Sequence, residues 1–223
     1  MPPTVGVVVF PGTNCEHDVV HALGLLGMHA EIKWHGDSEL GACDAVVLPG
    51  GFAHGDYLRP GAIARFSNVM NSIIEMAEAG KPVLGICNGF QVLTEAKLLP
   101  GALQKNAGLR FICDVEKLEV VSNRSAAGGL MQPGEIISLP INHFEGNYTC
   151  DQVTYDSLIE NDQIVFKYVD NPNGSVGSIA GISNIRGNVV GMMPHPERAV
   201  EEIVGGTDGR KVLGSFIREI LNG

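Results

Sequence analysis

The chain has 223 residues, 44% of them hydrophobic, enough to bury a full core as one domain spanning 1–223. A formal charge of −10 argues against nucleic acid as a partner and is mainly a statement about solubility. No run of about 18 apolar residues offers a membrane span, and Met-Pro-Pro-Thr leading straight into a strand does not read as a signal peptide. Five cysteines at irregular spacing, with no CxxC pair, predict neither a disulfide framework nor a zinc knuckle and suit a reducing cytoplasm.

In chain order, Val5 to Phe10 is a continuous apolar strand followed by the loop Pro11-Gly12-Thr13-Asn14. A helix with Val19, Val20, Leu23 and Leu26 as its stripe comes next, then strand candidates at Ala30 to Trp34 and Ala45 to Leu48. Ile63 to Ala79 supplies another amphipathic helix, and Val83 to Ile86 a short buried strand. Buried strands alternating with helices predict a parallel sheet with right-handed crossovers. Beyond Leu99 the pattern changes. Leu109 to Val121, Glu135 to Ile141, Gln163 to Val169, Ser175 to Ile185 and Val189 to Met193 read as strands, with Asn173-Gly174 and Arg186-Gly187-Asn188 as hairpin-type links. An antiparallel extension or edge sheet is expected there, closed by a helix from Asp208 to Leu221.

The chemistry concentrates around Cys87. It stands where the strand ending at Ile86 gives way to a helical pattern of Phe90, Val92, Leu93 and Ala96, bracketed by Gly85 and Gly89. A sharp strand-to-helix turn presents its central side chain at the carboxyl end of the sheet, and small neighbours permit the close approach. The amides of the following helix then face developing negative charge and favour the thiolate. A lone cysteine at a strand end is more often a small hydrophobe; the glycine bracket and the polar Gln91 one turn on favour the nucleophile.

A thiolate nucleophile needs a base, and the base an orienting group. Met193-Pro194-His195-Pro196-Glu197 offers both: a carboxylate accepting one imidazole N–H would leave the other nitrogen facing the thiol. The plain alternative is a surface turn. Pro49-Gly50-Gly51 also follows a strand, and its glycines let a backbone amide approach a substrate oxygen opposite the amide of Asn88.

Together, Gly85-Ile-Cys-Asn-Gly-Phe-Gln91, Pro49-Gly-Gly51 and His195-Pro-Glu197 resemble the class I (triad) glutamine amidotransferases. Phe10-Pro-Gly-Thr-Asn-Cys-Glu-His-Asp18, Gly55-Asp-Tyr-Leu-Arg-Pro-Gly-Ala-Ile63 and Met193-Pro-His-Pro-Glu-Arg-Ala199 narrow the resemblance to glutaminase subunits serving purine biosynthesis. It implies a flavodoxin-like, open, mostly parallel sheet with helices on both faces and an antiparallel edge extension. It implies Cys87 as nucleophile with His195 and Glu197 completing the triad, oxyanion donation by the amides of Gly51 and Asn88, and Gln91 in the glutamine pocket. It also implies a large synthetase subunit that consumes ATP with Mg, commonly with a small third subunit, while this chain itself carries no cofactor and no metal. No GxxxxGK[ST] loop is present. One segment departs: the family pattern His-Gly-Glu-Gly-Arg-Tyr is here His143-Phe-Glu-Gly-Asn-Tyr148, so Phe144 and Asn147 replace a glycine and an arginine.

Other features are weaker. His17 and His21 have the spacing of a zinc helix, but the intervening acid is Asp18 and no third ligand is evident, so a polar helix face is expected. Cys15 is expected in a loop near the site, Cys43, Cys113 and Cys150 in packing, and His54 and His143 at the rim in structural roles. The competing functions are another elbow-cysteine enzyme, such as a peptidase or glyoxalase-like protein, and a catalytically idle scaffold subunit.

Overall fold

The computed structural model describes residues 3–222. Nine strands form one sheet in the order β2 (His29–Trp34), β1 (Thr4–Val9), β3 (Ala45–Leu48), β4 (Val83–Ile86), β11 (Val189–Met192), β10 (Ile179–Ser183), β9 (Ile164–Tyr168), β6 (Ile112–Val120) and β7 (Ile136–His143). The first five pair in parallel; from β11 to β7 every pairing is antiparallel, so only β10 and β6 run against the rest. The extension is thus continuous with the main sheet and not a separate layer. A two-stranded ribbon, β5 (Ala102–Gln104) with β8 (Asn147–Thr149), stands apart.

The sheet grows outward in both directions from β1. The crossover from β1 to β2 through α1 (Glu16–Leu25) and that from β3 to β4 through α2 (Val69–Glu78) therefore run in opposite senses. With right-handed crossovers this puts the two helices on opposite faces. Strands β1, β3, β4 and β11 are buried almost throughout because both faces are covered, which is why they are unbroken apolar runs without alternation. By contrast, β7 alternates between buried and more accessible positions, with Ile137, Leu139, Ile141 and His143 inward.

Several boundaries differ from expectation. The helix expected from Ile63 to Ala79 is broken: a 3₁₀ turn at Ala64–Phe66 ends at Ser67, whose ψ of 147° is extended, before α2 begins. Helix α4 (Gln152–Glu160), which has a weak apolar stripe with only Leu158 buried, was not expected at all. Its start is fixed by Asp151, whose carboxylate accepts from the Thr154 amide at 2.8 Å. The expected strand from Ser175 opens as a 3₁₀ turn, Val176–Ser178, and is extended only from Ile179. The closing helix α5 runs Gly209–Asn222. Among the described residues no helix is long and apolar enough to cross a membrane.

Helix α3 (Asn88–Glu95) lies closest to the sheet. A Cβ built at Gly89 would stand 1.9 Å from the carbonyl oxygen of Leu48 on β3, and one at Gly85 would stand 2.6 Å from Leu93 Cδ1 and 2.7 Å from Gly89. Both glycines are therefore packing requirements. Gly24, in α1, meets nothing within 4 Å. Gly89→Ala is expected to lower stability by about 1–3 kcal/mol or prevent folding, whereas Gly24→Ala should raise it by about 0.5–1 kcal/mol. Urea unfolding of the two variants beside the parent checks the contrast.

Candidate active site

Three adjacent strands bring the singled-out motifs together. Leu48 pairs with Gly85, and Ile86 with Met192, so β3, β4 and β11 end side by side. Each then continues into one motif: Pro49-Gly50-Gly51, Cys87, and Pro194-His195-Pro196-Glu197. The link is direct, since the Cys87 amide donates to the Met192 carbonyl at 2.8 Å and the His195 amide to the Pro140 carbonyl at 2.8 Å.

Cys87 itself has φ 51° and ψ −105°, a conformation costing a non-glycine residue about 1–3 kcal/mol. It is the N-cap residue of α3, and its side chain is 5% exposed. The side chain makes no capping bond to α3, and its Sγ lies 3.7 Å from the Asn142 carbonyl. The Asn88 amide has no intrahelical acceptor, and among the described residues it donates to nothing else.

Opposite it, the Gly50 carbonyl accepts from the amides of Asn14 at 3.3 Å and Cys15 at 3.2 Å, and the Phe52 amide donates to the Gly12 carbonyl at 2.9 Å. These bonds pin the peptide units on either side of Gly51, leaving the Gly51 amide without an acceptor among the described residues. Gly51 holds φ 151°, and a Cβ there would meet Thr13 Cα at 2.6 Å. At Gly50 a Cβ would meet His195 Cε1 at 2.7 Å, so that glycine makes room for the imidazole.

His195 Nδ1 and Glu197 Oε1 are 2.7 Å apart, with side chains 2% and 0% exposed. The carboxylate accepts, which puts the proton on Nδ1 and leaves Nε2 for the thiol side. Burial alone would push His195 down; the Glu197 charge, followed by the nearby Cys87 side chain, outweighs it and holds the imidazole well above its ordinary range.

Gly51, Cys87 and His195 line a cavity of about 80 Å³ together with Cys15, Gln91, His143, Phe144, Glu145 and Arg198, and Glu197 stands behind His195 outside it. A larger groove of about 610 Å³ lies at the other end of the strands, beside Lys97, Leu98, Arg186 and Val189, away from every singled-out group. Gln91 is 5% exposed: its Oε1 accepts from Asn88 Nδ2 at 2.7 Å, and its Nε2 donates to the Glu145 carbonyl at 2.5 Å. The Asn88 side chain also accepts from the Ala53 amide at 3.0 Å and donates to Asp56 Oδ1 at 3.1 Å. Asp56 sits in a run of left-handed residues (His54, Gly55, Asp56), and burial raises its carboxyl to about 6, with Glu145 adding in the same sense.

Two participants escaped the sequence reading. Asn106 Nδ2 donates to the carbonyls of Arg110 and His143, so its Oδ1 must accept from the Gly146 amide and from His143 Nδ1, each at 3.1 Å. This fixes the His143 tautomer, and burial followed by the nearby His195 charge lowers its pKa to about 4. Arg198 follows the triad directly and donates to Asp18 at 3.2 Å and to Cys15 Sγ at 3.1 Å. Only its position in a motif beside the site could have hinted at it.

The remaining expectations divide. Cys15 lies at the site, as its loop position implied; Cys43 is buried, and Cys150 is half-buried against the core. Cys113 was expected in packing but is exposed, because it sits on β6 where that strand's outer residues meet solvent. His143 is 3% exposed, hence interior and not at a rim. His21 pairs with Glu201 at 2.8 Å while His17 is 80% exposed and 3.9 Å from Glu16, so the two histidines face different carboxylates. Phe144 lines the cavity with the Lys105 ammonium 5.9 Å from its ring, and Asn147 donates to the Lys105 carbonyl at 3.4 Å.

The His143 shift has a stability consequence. Above pH 6.5 the ring is neutral folded and unfolded; as pH falls toward 4 only the unfolded chain gains the proton, and stability drops by up to about 3 kcal/mol. Asp56, raised to about 6, acts in the opposite sense over much of that window. The difference between the parent and His143→Gln, followed by urea unfolding from pH 7.5 to 4, isolates the histidine: the parent should lose the additional stability on acidification, and identical pH slopes would contradict the shift.

A CobB/CobQ-like glutamine amidotransferase domain model matches residues 2–207. A chain of the PurLQS structure from Thermotoga maritima is 44% identical, with TM-score 0.90, over 98% of this chain and 99% of that one. The fold is shared more distantly with a putative GMP synthase protein from Thermoplasma acidophilum (19% identity, TM-score 0.65, 100% and 96% coverage). It is shared as well with a glutamine amidotransferase from Thermotoga maritima (17% identity, TM-score 0.60, 100% and 93% coverage). With a nucleophile-elbow geometry on an α/β sheet and a family match across nine-tenths of its length, this chain belongs to the CobB/CobQ-like glutamine amidotransferases.

Proposed function

We propose that the chain is the glutaminase subunit of a phosphoribosylformylglycinamidine synthase. It hydrolyses L-glutamine to glutamate and ammonia and passes the ammonia to a synthetase subunit that converts formylglycinamide ribonucleotide to the amidine with ATP. The observation that carries this reading is the 44% identity over nearly the full length of a PurLQS chain. A large synthetase partner using ATP and Mg, a cytoplasmic location and a small third subunit belong to the same proposal.

In this reading Cys87 thiolate attacks the side-chain carbonyl carbon of glutamine, and the amides of Gly51 and Asn88 receive the oxyanion. His195, protonated and oriented by Glu197, gives its proton to the amide nitrogen; the C–N bond breaks and ammonia leaves a thioester. Water then attacks the thioester carbon, His195 takes its proton, and glutamate departs as the thiol is restored. Gln91, held by Asn88 and the Glu145 carbonyl, shapes the pocket for glutamine. Each amide donor at the oxyanion is expected to contribute about 10²–10³ in rate.

Cys87→Ser should abolish glutamine hydrolysis, and a glutamine-derived electrophile should label Cys87 alone. Labelling of Cys15 in its place would overturn the nucleophile assignment. Glu197→Gln should cost less than His195→Ala and appear mainly in kcat, because Glu197 orients the base and transfers no proton.

The division of labour is tested with the assembled complex. Carrying Cys87→Ser, it should still form product from concentrated ammonium salts but none from glutamine. Failure with ammonium while the complex remains assembled would give Cys87 a part in synthesis itself.

A further inference from the structure

Cys15, which has no part in the mechanism above, places a thiol against the triad. One ligand atom each from Cys15, His195 and Glu197 lies within 4.8 Å of the others, and the three residues are 2%, 1% and 3% exposed. Two buried polar atoms of this group, His195 Nε2 and Glu197 Oε2, have no hydrogen-bond partner. The absence of a side chain at Gly50 is what lets the two groups come together, since a Cβ there would stand 2.7 Å from His195 Cε1 and 3.1 Å from Cys15 Sγ. The cavity of about 80 Å³ that Cys15, Cys87 and His195 line gives access.

From this juxtaposition we propose that Cys15, a ring nitrogen of His195 and Glu197 bind a thiophilic divalent cation of the zinc type, and that its binding switches the enzyme off. Thiolate, imidazole and carboxylate are the donor set that zinc prefers. Tetrahedral zinc, with bonds of about 2.0–2.3 Å, brings its donors to about 3.5 Å from one another, so the cluster closes by roughly 1 Å, with Cys87 Sγ or water as fourth ligand. On binding, the Cys15 thiol and the ligating ring nitrogen of His195, which is protonated without the metal, each release a proton to solvent, and the Cys15 contact with Asn14 Oδ1 is lost. The opposing charge is Arg198, whose Nη2 donates to Cys15 Sγ at 3.1 Å; its side chain is 28% exposed and can turn outward while Asp18 holds its Nε. The ion takes the base and its orienting carboxylate together, so inhibition follows without any blockage of the cavity mouth. It is an inhibitory site, separate in purpose from the resident chemistry, which uses no metal in the mechanism proposed here.

The test has one arm that reads the metal and one that reads activity. Cobalt(II) added to the Cys87→Ser chain should give a cobalt–thiolate charge-transfer absorption, and the Cys87→Ser/Cys15→Ser chain should give none. In glutamine hydrolysis by the assembled complex, zinc should inhibit the parent at concentrations at least about tenfold below those needed for Cys15→Ser, the usual cost of removing a group that supports a metal. Cys15→Ala serves both arms should the serine variant fail to fold. A thiolate band that survives removal of Cys15, no band in Cys87→Ser, or equal inhibition of parent and Cys15→Ser would each overturn the proposal. The activity arm alone rests on the glutaminase reading: a parent complex that does not hydrolyse glutamine would sink that reading and leave the cobalt result to stand or fall separately.

Discussion

The catalytic end of the molecule depends on how closely α3 approaches β3. With the Leu48 carbonyl less than 2 Å from where a Gly89 Cβ would lie, no other residue allows the helix to begin directly after Cys87 at that depth. The left-handed backbone at Cys87 is the geometric result, and it is a cost of about 1–3 kcal/mol that packing elsewhere must offset. Phe90, Val92 and Leu93 supply that packing: all three are fully buried, and Phe90 stacks on Tyr148 at 5.9 Å with 12° between the rings. Burial of side chains this size stabilises by about 1.5–3 kcal/mol each, enough to outweigh the strain.

Given the elbow, electrostatics divide the two buried histidines into different states. Both lose solvation, which favours the neutral ring. His195 faces the Glu197 carboxylate at 2.7 Å and has the Cys87 side chain nearby, and is held protonated; His143 faces only an amide oxygen and the charge of His195, and is held neutral. Environments that push two like groups apart are how one cavity assigns proton transfer to one of them. The His195–Glu197 pair is poor evidence for stability, since its mutual attraction is set against the desolvation of both partners. Its value lies in orientation: Nδ1 is tied down and Nε2 is left without a partner.

What could be read from the sequence follows from the range of the determining interactions. The elbow, the Gly50–Gly51 turn and the His195–Glu197 pair are encoded over a few residues each, and strands β3, β4 and β11 are unbroken apolar runs. The meeting of β3 and β4 at one sheet end follows from parallel pairing and was legible too, whereas Val189 to Met193 was expected in the antiparallel extension and instead lies mid-sheet, parallel to β4 and antiparallel only to β10. The broken helix before Val69 was not legible, because Ser67 is turned by tertiary contacts, its hydroxyl lying 3.0 Å from His35 Nδ1. Helix α4 scatters its apolar residues, with Val153 and Ile159 exposed and only Leu158 buried, and the β5–β8 ribbon joins segments more than forty residues apart. The Asn106–His143 lock is of the same kind: four hydrogen bonds around one amide, with no local signature in either segment.

The shape of the molecule also limits how much of a coupled reaction it can perform. A cavity of about 80 Å³ is well below the roughly 300–1,000 Å³ that sites for larger ligands occupy, so it suits a small amide group and has no room for a nucleotide. The groove of about 610 Å³ has the volume, but it opens beside Val189, where β11 begins, whereas Cys87 and His195 stand beyond the carboxyl ends of β4 and β11. Four-residue strands separate the two openings by the thickness of the sheet's parallel core. In the proposed reaction the nucleotide-consuming step is assigned to a partner, so ammonia released at Cys87 would pass to a second surface brought to the carboxyl end of the sheet. The exposed Phe52, Tyr57 and Leu58 lie on the loop bordering that end, so under the proposal a docked partner would meet the same segment that carries Gly51. In the proposed mechanism a shift of that loop by about 1 Å would be enough to align or misalign the Gly51 oxyanion donor, which would couple docking to rate through the backbone.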